Sequence, residues 1–157
     1  MDAVQRVKGA LIEAGHSGDI TELPEPAPTA QAAADQLGCP VGAIANSLVF
    51  SVNNAPLLIL TSGDHRVDTR KVAALLGVGR GKIRRADPEF VHAVTGQHAG
   101  GVAPIGHPAP IRTLVDTHLG TYNPIWAGAG LHHALFRTTL PELLQLTCGE
   151  TAEVGET

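Results

Sequence analysis

Two apolar, partly β-branched runs, residues 47–52 and 56–60, flank Asn53-Asn54-Ala55, and no other feature so narrows what this chain can fold into. The spacing suits a hairpin, so the runs are expected to be paired core strands. Helical signals surround them. Val4, Val7, Leu11 and Ile12 share one face of a first helix, with Gly15 placed to end it. Residues 19–23 suit a short strand, the prolines of Pro24-Glu25-Pro26-Ala27-Pro28 force an extended connection, and Thr29 can cap a helix that stops at Gly38.

Further along, Asp68 can cap a helix running through Leu75 and Leu76 to Gly77, and Asp87-Pro88 opens another over residues 89–94. Residues 111–115, 125–127 and 134–137 read as strands, and Thr139-Leu140-Pro141-Glu142 as a capping box before a helix over 143–146. The acidic tail from Gly149 is expected to fray. Helices and strands are interspersed without a regular βαβ repeat, which predicts an α+β class with a mixed sheet.

A chain of 157 residues is the size of one domain, expected over 1–157, and 43% hydrophobic residues with only 3% aromatic imply an aliphatic core. Arg6, Lys8 and Glu13 interrupt the first apolar positions, so neither a signal peptide nor a membrane span is expected and the reading is cytosolic. Cys39 and Cys148 lie far apart and outside any CxxC spacing, as reduced thiols would.

Net charge is −4, yet Arg66, Arg70, Lys71, Arg80, Lys82, Arg84 and Arg85 crowd into residues 64–85 against only Asp64 and Asp68. Such asymmetry fits either a phosphate-binding face or a solvated helix and turn. Arg70 and Lys71 oppose the dipole of the helix they would start, which hints at binding.

Several chemistries drop out. Eight histidines form no close-ligand motif, so no metal and no cofactor is expected; Ser62-Gly63-Asp64-His65 lacks a nucleophile elbow and reads as a turn; neither a P-loop nor a dinucleotide fingerprint occurs. What remains is Gly100-Gly101-Val102-Ala103-Pro104-Ile105-Gly106-His107, preceded by Thr95-Gly96 and echoed by Gly128-Ala129-Gly130. Adjacent glycines let backbone amides approach a carbonyl or oxyanion, although a tight turn between strands would use the same residues.

The blocks Asn46-Ser47-Leu48-Val49-Phe50, Ser62-Gly63-Asp64-His65-Arg66-Val67-Asp68 with Lys71, Thr95-Gly96, residues 100–107, Ala127-Gly128-Ala129-Gly130 and Leu143-Leu144-Gln145-Leu146-Thr147 follow one another in a telling order. Together they resemble the YbaK/ProX family of aminoacyl-tRNA deacylases over about residues 29–147. The resemblance implies an editing domain with a mixed, barrel-like sheet ringed by helices, related to the insertion domain of bacterial prolyl-tRNA synthetases. It implies hydrolysis of the ester between a wrong amino acid and tRNA, with backbone amides of Gly100, Gly101 and the loop closed by Pro104 on the aminoacyl carbonyl. Thr95, Gly96, His107, Gly128, Ala129 and Gly130 would line the substrate site, and the seven basic residues would hold the acceptor stem.

One position departs from the pattern. Family members typically carry lysine where this chain has Asn46, and an amide cannot neutralise a phosphate or carboxylate. An aminoacyl ester is already activated, so either catalysis rests on the loop amides and one bound water, with Asn46 orienting that water or the terminal ribose, or activity is reduced, or the substrate differs. The alternatives are a catalytically silent binder of tRNA or of a synthetase, and a small-molecule module for which the basic segment is irrelevant.

Overall fold

The computed structural model describes residues 2–156. Its helices are α1 (Ala3–Glu13), α2 (Ala30–Leu37), α3 (Thr69–Leu76), α4 (Pro88–Thr95) and α5 (Leu140–Thr147). The strands are β1 (Thr21–Glu22), β2 (Ile44–Val52), β3 (Ala55–Ser62), β4 (Ile83–Arg85), β5 (Arg112–Asp116), β6 (Ile125–Gly128), β7 (Ala134–Thr138) and β8 (Glu150–Ala152). They form one mixed sheet in the order β1-β7-β6-β2-β3-β5-β8, with β4 added to β2, so the fold is α+β.

Local chemistry explains most boundaries. Asn53 and Asn54 both take left-handed φ, 51° and 69°, and turn β2 tightly into β3 in full antiparallel register from Val52↔Ala55 to Ala45↔Ser62. Side-chain oxygens of Thr29, Asp68, Asp87 and Thr139 accept from the first-turn amides of Ala32, Arg70, Phe90 and Glu142, satisfying donors that the helix itself leaves free. The Thr139 cap is one-sided: the Glu142 carboxylate accepts from Thr138 Oγ1 at 3.1 Å rather than from the cap's own amide.

Strand alternation sorts the core onto two faces. Leu58 and Leu60 of β3 join Val7 and Leu11 of α1, Val91 of α4 and Leu143 of α5 on one side. Leu57 and Ile59 join Val72 and Ala73 of α3 on the other. Burying β3 on both faces makes it the centre of the molecule; Leu58, Ile59 and Leu60 are each 0% exposed.

Three expectations need correction. Ile12 is 54% exposed, because α1 turns it outward to lie over Gly18, while Val7 and Leu11 supply the buried stripe. Residues 150–156 of the tail are ordered: β8 pairs in parallel with β5, Val154 is 0% exposed, and its carbonyl accepts from the Asp68 amide at 2.7 Å. Alternation of acidic and small residues hid a strand whose apolar contacts come from distant parts of the chain. The basic segment also contains β4, which only its pairing with β2 reveals.

Candidate functional site

The edge of β2 opposite β3 has two partners with a gap between them. β6 pairs in parallel with Ile44 and Ala45, and β4 pairs antiparallel with Phe50, Ser51 and Val52. Among the described residues, 46–48 between them have no strand partner on that side, and they are half-buried while the flanking positions 44–45 and 49–50 are buried. A cavity of about 750 Å³ opens at this gap. Asn46, Ser47 and Leu48 form one wall, Gly100, Gly101 and Val102 another, and Thr29, Gly63, Arg85, Gly128 and His132 contribute around them. The sheet splits because β6 and β4 approach β2 from opposite ends, which no local sequence signal announces.

A buried glutamine sets the shape of the glycine loop. Gln97, 1% exposed, accepts the Ala103 amide on Oε1 at 2.7 Å and donates from Nε2 to the Ile105 carbonyl at 3.2 Å. Thr95 Oγ1 donates to the Val91 carbonyl at 2.6 Å and accepts the Gln97 amide at 3.0 Å. His107 Nε2 donates to the Ala103 carbonyl at 2.8 Å. Burial holds the imidazole pKa below its usual value against the opposing pull of that hydrogen bond, so His107 is neutral near pH 7.

The two glycine loops touch. Gly130 N donates to the Gly101 carbonyl at 2.9 Å, and a Cβ on Gly101 would stand 2.6 Å from the Leu131 carbonyl carbon. Gly100 has φ +94° and, its chain neighbours aside, no described residue within 4 Å of where its Cβ would be. Among the described residues, no acceptor takes the amide protons of Gly100, Gly101 or Val102, and the side-chain amide of Asn46 has no hydrogen-bond partner. Both sets of groups belong to residues that line the cavity.

The structure separates the sequence-derived site residues into two tiers. Asn46, Gly100, Gly101 and Gly128 line the cavity. Thr95, Gly96, Pro104, His107, Ala129 and Gly130 do not; Thr95 and His107 brace the loop from behind, Pro104 is buried, and the Gly96 carbonyl accepts from Arg6 at 3.0 Å. Of the seven basic residues Arg85 alone lines the cavity, its guanidinium 5.7 Å from the Phe50 ring centroid. Arg84 follows the alternation of β4 to the opposite side, and Lys71 Nζ donates to the Gly155 carbonyl at 2.7 Å. Arg66, Arg70, Arg80 and Lys82 are exposed elsewhere. Sequence reasoning missed His132 and Thr29 as wall residues; neither carried a motif.

The profile of the aminoacyl-tRNA editing domain family matches residues 24–146. The uncharacterized protein YwhH of Bacillus subtilis (strain 168) is 25% identical over 146 residues, 92% of this chain and 91% of its own length. The proline–tRNA ligase of Nitratidesulfovibrio vulgaris (strain Hildenborough) is 32% identical over 101 residues, 64% of this chain but 17% of the ligase. Among solved structures, a candidate trans-editing enzyme for prolyl tRNA synthetase superposes with a TM-score of 0.93 at 39% identity, covering 100% of this chain and 99% of that one. With the profile spanning the cavity walls and the likeness running the full length of the fold, this chain belongs to the aminoacyl-tRNA editing domain family.

Proposed function

We propose that this protein is a trans-editing deacylase that hydrolyses the ester of a mischarged tRNA. One observation carries the reading: unpaired amides of the 100–102 loop and the unpaired Asn46 side chain share one cavity in a fold of the editing family. A water oxygen attacks the ester carbonyl carbon, and the negative charge developing on the carbonyl oxygen is taken by the loop amides. The ester C–O bond then breaks, the terminal ribose oxygen leaves with a proton, and free amino acid and tRNA result. Each preorganised donor of this kind contributes about 3 to 4 kcal/mol to the rate.

Asn46 supplies no charge, so its role in this scheme is to orient the water or the terminal ribose by donating and accepting hydrogen bonds. Arg85, at the cavity lining, supplies a cation for the acceptor-end phosphates. The test is a deacylation panel of tRNAs carrying alanine, cysteine, serine and the remaining amino acids. Acceleration for at least one small residue supports the reading. The uncatalysed rate throughout, with tRNA binding retained, supports instead a silent tRNA- or synthetase-binding protein, the reading that the neutral Asn46 favours.

A further inference from the structure

Outside the cavity wall, the C-terminal ends of β3 and β5 bring together a set of side chains that the deacylase chemistry does not use. These strands run parallel in the register Leu60↔Val115, so the turn after β3 lies beside the 3-10 turn Thr117–Thr121 after β5. Asp64 and His65 meet His118 there. Asp64 Oδ2 is 3.2 Å from His118 Nε2, Asp64 Oδ1 is 4.0 Å from His65 Nε2, and the two imidazoles stack with centroids 4.3 Å apart. One ligand atom from each of the three residues lies within 4.8 Å of the others. A tetrahedral ion with bonds of about 2.0–2.1 Å places its ligand atoms about 3.4 Å apart, so small side-chain rotations close the set.

The surroundings are built as the outer shell of a metal site is built. Asp116, 1% exposed, accepts from His65 Nδ1 at 2.9 Å. That bond fixes the tautomer in which His65 Nε2 presents its lone pair toward Asp64 and His118. The same carboxylate accepts the amides of Ser62 and His118, both at 3.0 Å, and so anchors the two segments that carry the ligands. Tyr122 OH donates to Asp64 Oδ2 at 3.3 Å, and Ser62 Oγ lies 2.7 Å from Asp64 Oδ1, so the Asp64 carboxylate is oriented too. The two carboxylates meet two histidines and no lysine or arginine in these contacts, leaving negative charge for a cation to neutralise.

We propose that Asp64, His65 and His118 form a binding site for a divalent transition-metal ion of the zinc class, with Asp116 as its outer-shell support. Two imidazoles and one carboxylate suit zinc or cobalt rather than calcium or magnesium, which favour oxygen ligands throughout. The ligand side chains are 27–34% exposed, which admits the ion and leaves its fourth position to water. Bound there, the ion ties the end of β3 to the end of β5 next to Gly63, which lines the cavity. This assignment is independent of the deacylase reading.

Titration of the purified, chelator-treated chain with Zn²⁺ by calorimetry, and with Co²⁺ by visible absorption, tests it. The expected result is one ion per chain, a tetrahedral Co²⁺ spectrum and a higher Tm with metal. His118→Ala should lose binding and the Tm rise, and Asp116→Asn should weaken affinity about 10- to 100-fold. His118 is partly exposed, so its variant folds even if the Asp116 variant does not. His92 and His98, stacked with centroids 4.9 Å apart, are a competing imidazole pair, and the His92→Ala/His98→Ala double variant should bind as wild type does. Absence of binding in wild type, or binding that survives His118→Ala, overturns the proposal.

Discussion

The amide of Gly130 donates to the carbonyl of Gly101 across 2.9 Å, which joins the two glycine loops into one unit at the rim of the cavity. The absence of a side chain at Gly101 serves that junction, since a Cβ would collide with the Leu131–His132 backbone. Gly101→Val should therefore lower stability by about 1–3 kcal/mol, as overpacking of a close contact does. Denaturant unfolding checks the magnitude. A variant as stable as wild type would show that the loops can part without cost.

Asn46 stands half-buried on β2, and among the described residues its side chain has no hydrogen-bond partner, so removing its amide should leave the fold intact. On the proposed chemistry, Asn46→Ala should reduce single-turnover deacylation by about tenfold or more with unchanged Tm, as expected when a hydrogen-bonding group in a reaction site is lost. Asn46→Lys should reduce it as well, because a half-buried site shaped for a neutral amide would hold an unpaired ammonium. A faster Lys variant would mean that the site works as a weakened form of a lysine-dependent one.

Arg85 lines the cavity and Arg70 does not, which separates two basic residues that the sequence grouped together. Replacing Arg85 by Ala should flatten the log-log salt dependence of tRNA binding by about 0.7 to 0.9, one phosphate contact. Arg70→Ala should leave the slope unchanged. Equal effects from the two variants would spread the tRNA over the whole basic segment.

His107 is held neutral by burial, with its folded pKa below the ordinary 6.5, so the unfolded chain binds the proton more readily. Its contribution to stability is therefore intact above about pH 6.5 and declines as pH falls below that value. His107→Gln, which keeps a donor for the Ala103 carbonyl but does not titrate, should lose less stability between pH 7.5 and 5.5 than wild type. Parallel denaturant midpoints at the two pH values decide it.

Val154 is fully buried against the face of the sheet that carries α3, in a segment expected to fray. Val154→Ala should cost about 2 kcal/mol, the lost methyl burial plus the space left behind. Thermal unfolding reads the effect directly. A shift within error would return the tail to the status of an appendage.

Several features were legible in the chain because they depend on neighbours in sequence. The Asn53-Asn54 turn and the caps at Thr29, Asp68, Asp87 and Thr139 act over two to four residues, where side-chain chemistry and backbone geometry meet directly. The glycine block and Asn46 were legible as motifs, and the structure places Asn46, Gly100 and Gly101 on one cavity. Strand pairing decided the rest. The gap beside residues 46–48 exists because β4 and β6 meet β2 at opposite ends; β8 exists because β5 offers it an edge; and His118 reaches Asp64 because β3 and β5 are parallel neighbours. Such contacts join residues far apart in the chain, and their free energy comes from shared burial and ladder hydrogen bonds that leave no periodic or compositional mark on either partner alone.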